Sequence, residues 1–174
     1  MPPRPSPLLK AGDAPLQKRG QDKLAEDPEG AALRWGKGEA TLQEVKGYSD
    51  EELYHIAQHG YTLFLNGKVS DAQTVFEGLV AIDPRNEYYY RALGVVYHRR
   101  GAVDRAIRQF DAALQLNPGS LHALVNRAEV HISRRDFSVA LDDLGRAVRL
   151  AGDSEEPIAR KARALTSLIR KKHG

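Results

Sequence analysis

The chain has no cysteine, one methionine and one tryptophan among its 174 residues, and aromatic residues make up only 7% of it. Without cysteine there is no disulfide, no thiolate metal site and no cysteine nucleophile. No apolar run approaches the roughly 20 residues that a membrane-spanning helix needs. The opening Met1-Pro2-Pro3-Arg4-Pro5 carries none of the apolar core of a secretory leader. Composition therefore points to a cytoplasmic protein with no membrane insertion. An excess of charge of one sign is missing too. Residues 1–50 hold 8 Lys/Arg against 8 Asp/Glu, residues 51–152 hold 12 against 12, and residues 153–174 hold 6 against 3, which accounts for the whole net charge of +3. A surface that bound phosphates would concentrate its basic residues, so nucleic acid is not an expected partner.

What the chain does have is a repeat. Between Glu87 and Pro118 it reads Tyr90-x-x-Leu93-Gly94-x-x-Tyr97, then Ala106-x-x-x-Phe110, then Pro118. A shift of 34 residues toward the N-terminus lands the same frame on Ile56, Gly60, Leu63, Ala72, Phe76 and Pro84. The opposite shift lands on Leu124, Ala128, His131, Ala140, Leu144 and Gly152. This is the tetratricopeptide signature, in which two helices approach closest where both carry small residues. Here those are Gly60, Gly94 and Ala128 against Ala72, Ala106 and Ala140. The expected fold is all-α: three tetratricopeptide repeats in a right-handed superhelix, with a C-terminal capping helix and a disordered N-terminal head. Such an architecture binds polypeptides, and no residue set supports catalysis, a cofactor or a metal.

The expected organisation is a proline-rich head over residues 1–30, an N-terminal helical segment or linker over 31–48, repeats over 49–152 (about 53–86, 87–120 and 121–154), and a capping helix over 155–174. The head has six prolines, no aromatics and too little apolar surface to offset its ordering entropy. Within 31–48, Glu39 to Lys46 predicts a short helix closed by Gly47. Ser49-Asp50-Glu51-Glu52 is a capping-box spacing that starts a helix near Asp50, and a second helix runs from about Ser70 to Ile82. Gly67 and Gly101 recur at the turn inside each repeat, where the third repeat has Arg135. In the final helix, Glu155 and Glu156 are expected in the first turn and Arg170, Lys171 and Lys172 in the last, complementing the helix dipole.

In this architecture the first helix of each repeat lines the inner groove. The corresponding positions are Tyr54, Ala57, Tyr61, Phe64 and Leu65, then Tyr88, Arg91, Val95, His98 and Arg99, then His122, Val125, Glu129, Ile132 and Ser133. Of these, Tyr54, Ala57, Tyr61, Phe64, Leu65, Tyr88, Arg91, Val95, His98, His122, Val125 and Glu129 form the candidate peptide-binding groove. Tyrosines supply rigid contact area with a polar tip, which suits an extended peptide. Repeat proteins that clamp a chaperone's C-terminal carboxylate use Lys, Asn and Arg at set groove positions. Here Ala57, Tyr61, Val95, His122 and Asn126 stand there, which offers a carboxylate almost no fixed donors.

The stretch from Ser49 to Pro118, with Asp50-Glu51-Glu52-Leu53-Tyr54, Gly67-Lys68, Asp71-Ala72, Val75-Phe76, Ile82-Asp83, Leu93-Gly94 and Ala106-Ile107, resembles the translocator chaperones of bacterial type III secretion. The third repeat continues the likeness through Ala128-Glu129. The resemblance implies a chaperone that holds hydrophobic translocator subunits before export, gripping an extended client segment in the groove. Tyr54, Tyr61, Phe64, Tyr88 and Val95 would form its side-chain pockets. It also implies a homodimer through the N-terminal segment, here residues 31–46. A scaffold or adaptor of the same fold, serving partners that are soluble alone, is the alternative.

Other signals carry less. His55 and His59 are four apart, but no third ligand follows, so His59 is expected to pack between helices and no metal is expected. Gly36-Lys37-Gly38 lacks the phosphate-loop spacing. Asp142 and Asp143 point about 100° apart on a helix and are expected to face solvent.

Overall fold

A computed structural model describes residues 28–173. The expected disordered head, up to residue 27, lies outside the described residues. Among those described, nine helices and no strand occur. The described residues divide into two compact units that meet between Ala92 and Leu93.

In the first unit, helix starts are written in capping residues. Helix α1 (Pro28–Gly36) opens on a proline, which costs nothing at the first helical position because that N–H has no intrahelical partner. It crosses the boundary expected at residue 30, and no apolar period in the sequence announces it. Helix α2 (Leu42–Lys46) is capped by Thr41, whose hydroxyl accepts from the Glu44 amide while Glu44 accepts from the Thr41 amide, and Gly47 ends it at φ 73°. Helix α3 (Asp50–Leu65) repeats the device: the Ser49 amide donates to Glu52 Oε2 at 2.8 Å and the Glu52 amide to Ser49 Oγ at 3.1 Å. These bonds from the backbone and hydroxyl of Ser49 hold the Glu52 carboxyl below its usual range.

Helix α4 (Val69–Ile82) packs on α3 through Leu53, Ala57 and Gly60 against Ala72, Phe76 and Leu79, all buried. The contact is close enough that a Cβ on Gly60 would lie 2.8 Å from Val75 Cγ1. Helices α1 and α2 pack together, and α2 also touches α4. Arg85, just beyond α4, reinforces that contact by donating to the Glu39 carbonyl at 3.3 Å and lying 3.8 Å from Glu44 Oε2.

Helix α5 (Glu87–Arg99) carries the boundary between the units. The second unit continues with α6 (Val103–Leu116), α7 (Leu121–Ser133), α8 (Phe137–Ala151) and α9 (Pro157–His173). Its core is Phe110, Ala113, Leu124, Ala128, Val130, Ala140, Leu144 and Ala147, closed by Ile158, Ala162 and Ile169 of α9. Because α9 begins at Pro157, Glu155 and Glu156 precede it rather than occupying its first turn. Its basic residues Arg170, Lys171 and Lys172 do fall in the last turn.

The three intra-repeat turns close on one pattern. The amides of Lys68, Ala102 and Asp136 reach back to the carbonyls of Leu63, Tyr97 and His131, each at 2.9 Å. This geometry needs a left-handed residue at the turn. Gly67 (φ 77°) and Gly101 (φ 73°) supply it, and in the third turn Arg135 adopts φ 65° in spite of its side chain.

Candidate polypeptide-binding site

Of the candidate groove residues, Tyr54, Ala57, Tyr61, Phe64, Leu65, Tyr88 and Arg91 lie in the first unit. Tyr54, Tyr61, Phe64 and Leu65 recur along α3 at helical spacing and form its partly open stripe. The tyrosines and Phe64 are half-buried and Leu65 is 48% exposed. The Tyr54 hydroxyl accepts from Gln58 Nε2 at 3.0 Å, which fixes the first ring. This is apolar contact surface already ordered by its helix.

The remaining first-unit candidates are buried. Ala57 packs toward α4 in the helix pair, at 2% exposure. Tyr88 and Arg91 are 4% and 2% exposed; the Arg91 guanidinium lies 5.2 Å from the Tyr88 ring centroid and its Nε lies 3.4 Å from Glu87 Oε1. Tyr88 and Tyr89 meet edge to face at 5.9 Å. Burial, with Asp83 and Asp50 adding to it, pushes the Tyr89 hydroxyl well above the usual phenol range. From Tyr88 to Tyr97 every residue except Tyr90 is buried, so the expected groove positions Tyr88, Arg91 and Val95 expose little surface.

In the second unit, Val95 is 5% exposed and Val125 is fully buried, so neither offers open surface. His98, His122 and Glu129 are half-buried. Glu129 Oε1 pairs with Lys161 Nζ of α9 at 2.7 Å. Burial holds the His98 imidazole below its usual range, with Glu129 opposing the shift and Lys161 adding to it. The polar character of this face was legible from His98, His122 and Glu129. Lys161 was not, because nothing local in α9 names a partner on α7.

Two further expectations are corrected. His59 is exposed rather than set between helices. Asp143 is 3% exposed, because Arg127 holds it with two bonds, Nε to Oδ2 at 2.8 Å and Nη2 to Oδ1 at 2.6 Å. Among the described residues, no group of three or more His, Asp or Glu side chains is placed to hold a metal, and no helix is long and apolar enough to cross a membrane.

Residues 58–120 match the tetratricopeptide repeat family model. The chain is 26% identical over 124 residues to low calcium response locus protein H of Yersinia pestis, covering 71% of this chain and 72% of that protein. It is 29% identical over 100 residues to a tetratricopeptide repeat and J domain-containing co-chaperone of Cryptococcus neoformans; that match covers 58% of this chain but only 19% of the fungal protein. Among solved structures, the type III secretion translocator chaperone SycD of Yersinia enterocolitica superposes with a TM-score of 0.71 at 18% identity, over 74% of this chain and 98% of SycD. PcrH in complex with the chaperone binding region of PopD superposes with a TM-score of 0.67 at 22% identity, again over 74% and 98%. Residues 58–120 thus carry the tetratricopeptide repeat pattern, and the described residues have the all-α fold seen in the type III secretion translocator chaperone SycD.

Proposed function

We propose that this protein is a cytoplasmic chaperone that binds an extended segment of hydrophobic type III secretion translocator proteins before their export, acting by binding and not by catalysis. The observation that carries the reading is the fold likeness to SycD and PcrH along almost their whole length, since the PcrH structure holds the chaperone binding region of PopD and a SycD structure holds a peptide of the translocator YopD. The stripe of Tyr54, Tyr61, Phe64 and Leu65 supports it, being aromatic and aliphatic surface left partly open. Burying two or three client side chains there at ~1.5–3 kcal/mol each supports, after ordering costs, micromolar affinity of about −8 kcal/mol. A client segment so held is withdrawn from aggregation by mass action. Leu33 and Trp35 of α1, 61% and 52% exposed, supply the apolar contact for a second copy of the chain through residues 31–46.

The match to the fungal co-chaperone favours a second reading, a general adaptor for soluble partners. One experiment separates the two: capture from the native host with the tagged chain, beside a Tyr61→Ala, Leu65→Ala control. Recovery of a protein with long apolar helices, lost in the control, supports the chaperone. Recovery of soluble proteins alone supports the adaptor, and unchanged recovery in the control removes α3 from the site. Tyr88 is unsuitable as a control because it is buried, and truncating it would disturb the fold.

A further inference from the structure

Helix α9 carries six Lys or Arg residues and no Asp or Glu. Its cations divide by task. Lys161 pairs with Glu129 at 2.7 Å, and Arg163 holds the turn before the helix, donating to the Gly152 and Ser154 carbonyls at 3.2 and 2.7 Å. Arg160, Arg170 and Lys171 are exposed, and none of them makes an ion pair among the described residues. The bias extends beyond α9. Residues 51–152 balance only because residues 51–92 hold 3 Lys/Arg against 6 Asp/Glu while residues 93–152 hold 9 against 6. The second unit as a whole has 15 against 9.

The open cations share a face with apolar surface. Arg160, Ala164, Ser167, Leu168 and Lys171 recur at helical spacing over about 16 Å, all exposed, with Leu168 at 54%. Thirty-four residues earlier, on α7, Asn126 and Val130 stand in the places of Arg160 and Ala164. Both are buried, and α9 packs against that helix. The stripe on α9 is therefore the surface on which a further helix of the solenoid would stack. A solenoid end is ordinarily kept soluble by a polar outer face, and Leu168 departs from that. Ala164 and Ser167 beside it are small enough for a second helix axis to approach to about 8–10 Å.

The charges select the occupant. A second α9 would bring six more cations and be repelled. A lipid surface needs a broad apolar face, and Leu168 is the one large apolar side chain on this stripe. An acidic helix meets both features: carboxylates about three turns apart reach Arg160 and Lys171, and an apolar residue between them covers Leu168. We infer that the exposed face of α9 docks an acidic amphipathic helix of a protein partner, stacked as a further helix of the solenoid. This surface owes nothing to the α3 stripe and stands under either reading of the function.

The test places photoreactive benzoylphenylalanine at position 168 of the full chain, irradiates it in the native host, and maps the cross-linked peptide by mass spectrometry. The same chain with Arg160→Glu and Lys171→Glu is the comparison. The cross-link should map to one helical segment with acidic residues on the face that carries its apolar ones, and the reversed charges should cut its yield at least about ten-fold. A synthetic peptide of that segment should bind the parent chain and weaken as salt is raised. The two substituted residues are exposed, so the thermal midpoint should hold. Should it fall, Arg160→Gln with Lys171→Gln repeats the comparison without adding negative charge at the helix C-terminus. Cross-links to a second copy of the chain, to phospholipid or to a neutral or basic segment overturn the inference, as does no cross-link or a yield indifferent to the charges. Peptides spanning the chaperone binding region of PopD should bind the charge-reversed chain as they bind the parent, which keeps this outcome separate from the chaperone reading.

Discussion

Gly94 of α5 lies against the ring of Phe110 of α6 so closely that a Cβ at position 94 would sit 2.7 Å from Phe110 Cε1 and 2.9 Å from Cδ1 and Cζ. The Phe110 ring is fully buried and has little room to retreat. Gly94→Ala is therefore expected to destabilise the fold by about 1–2 kcal/mol, even though alanine is the better helix former by about 1 kcal/mol. Urea denaturation of the variant checks it, and an unchanged midpoint would mean that the ring shifts at almost no cost.

Arg135→Gly should do the opposite. At φ 65° the arginine occupies a left-handed conformation that glycine takes freely, as Gly67 and Gly101 do in the equivalent turns. The expected gain is about 0.5–1 kcal/mol, net of the added freedom of glycine in the unfolded chain, read as a higher thermal midpoint.

Arg127 binds Asp143 bidentately and Asp111 through Nη1 at 2.5 Å. The two carboxylates are unequal: the Asp143 side chain is 4% exposed and that of Asp111 is 44% exposed. Arg127→Met strands a buried charge and should cost about 3–5 kcal/mol, while Asp111→Asn should cost less than about 1 kcal/mol. Thermal unfolding of both variants measures the ratio. Equal losses would show that Asp143 does not depend on this partner.

For His98 the sign follows from burial, which holds its folded-state pKa below the usual 6.5. As pH falls through 6.5, the unfolded chain takes up the proton first, so His98 withdraws stability in the window just below that value. His98→Gln should flatten stability against pH there, as measured by denaturation at a series of pH values. A steeper profile in the variant would mean that Glu129 outweighs burial.

The repeat pattern was legible because the close helix approaches demand small residues, and Gly60, Gly94 and Ala128 announce themselves at a fixed spacing. The α3 stripe was legible for a similar reason, since Tyr54, Tyr61 and Phe64 fall at set positions of the 34-residue frame. What escaped depends on distant partners. Helical geometry alone turned Asp143 toward solvent, whereas its place is decided by Arg127. Tyr88, Arg91 and Val95 were assigned to an open face by position, but all three are buried, and burial is decided by what surrounds a residue rather than by its place in the repeat frame.

Glu44 begins α2 through Thr41 and also lies beside Arg85 at the turn that closes the first repeat. The same arginine donates to the Glu39 carbonyl. A fragment cut at Ser49, where the repeats begin on paper, would keep Arg85 and discard both oxygens it faces, together with the contact between α2 and α4. A fragment that begins before Glu39 keeps both oxygens and the packing of α2 on α4, one structural element ahead of where the repeat frame starts.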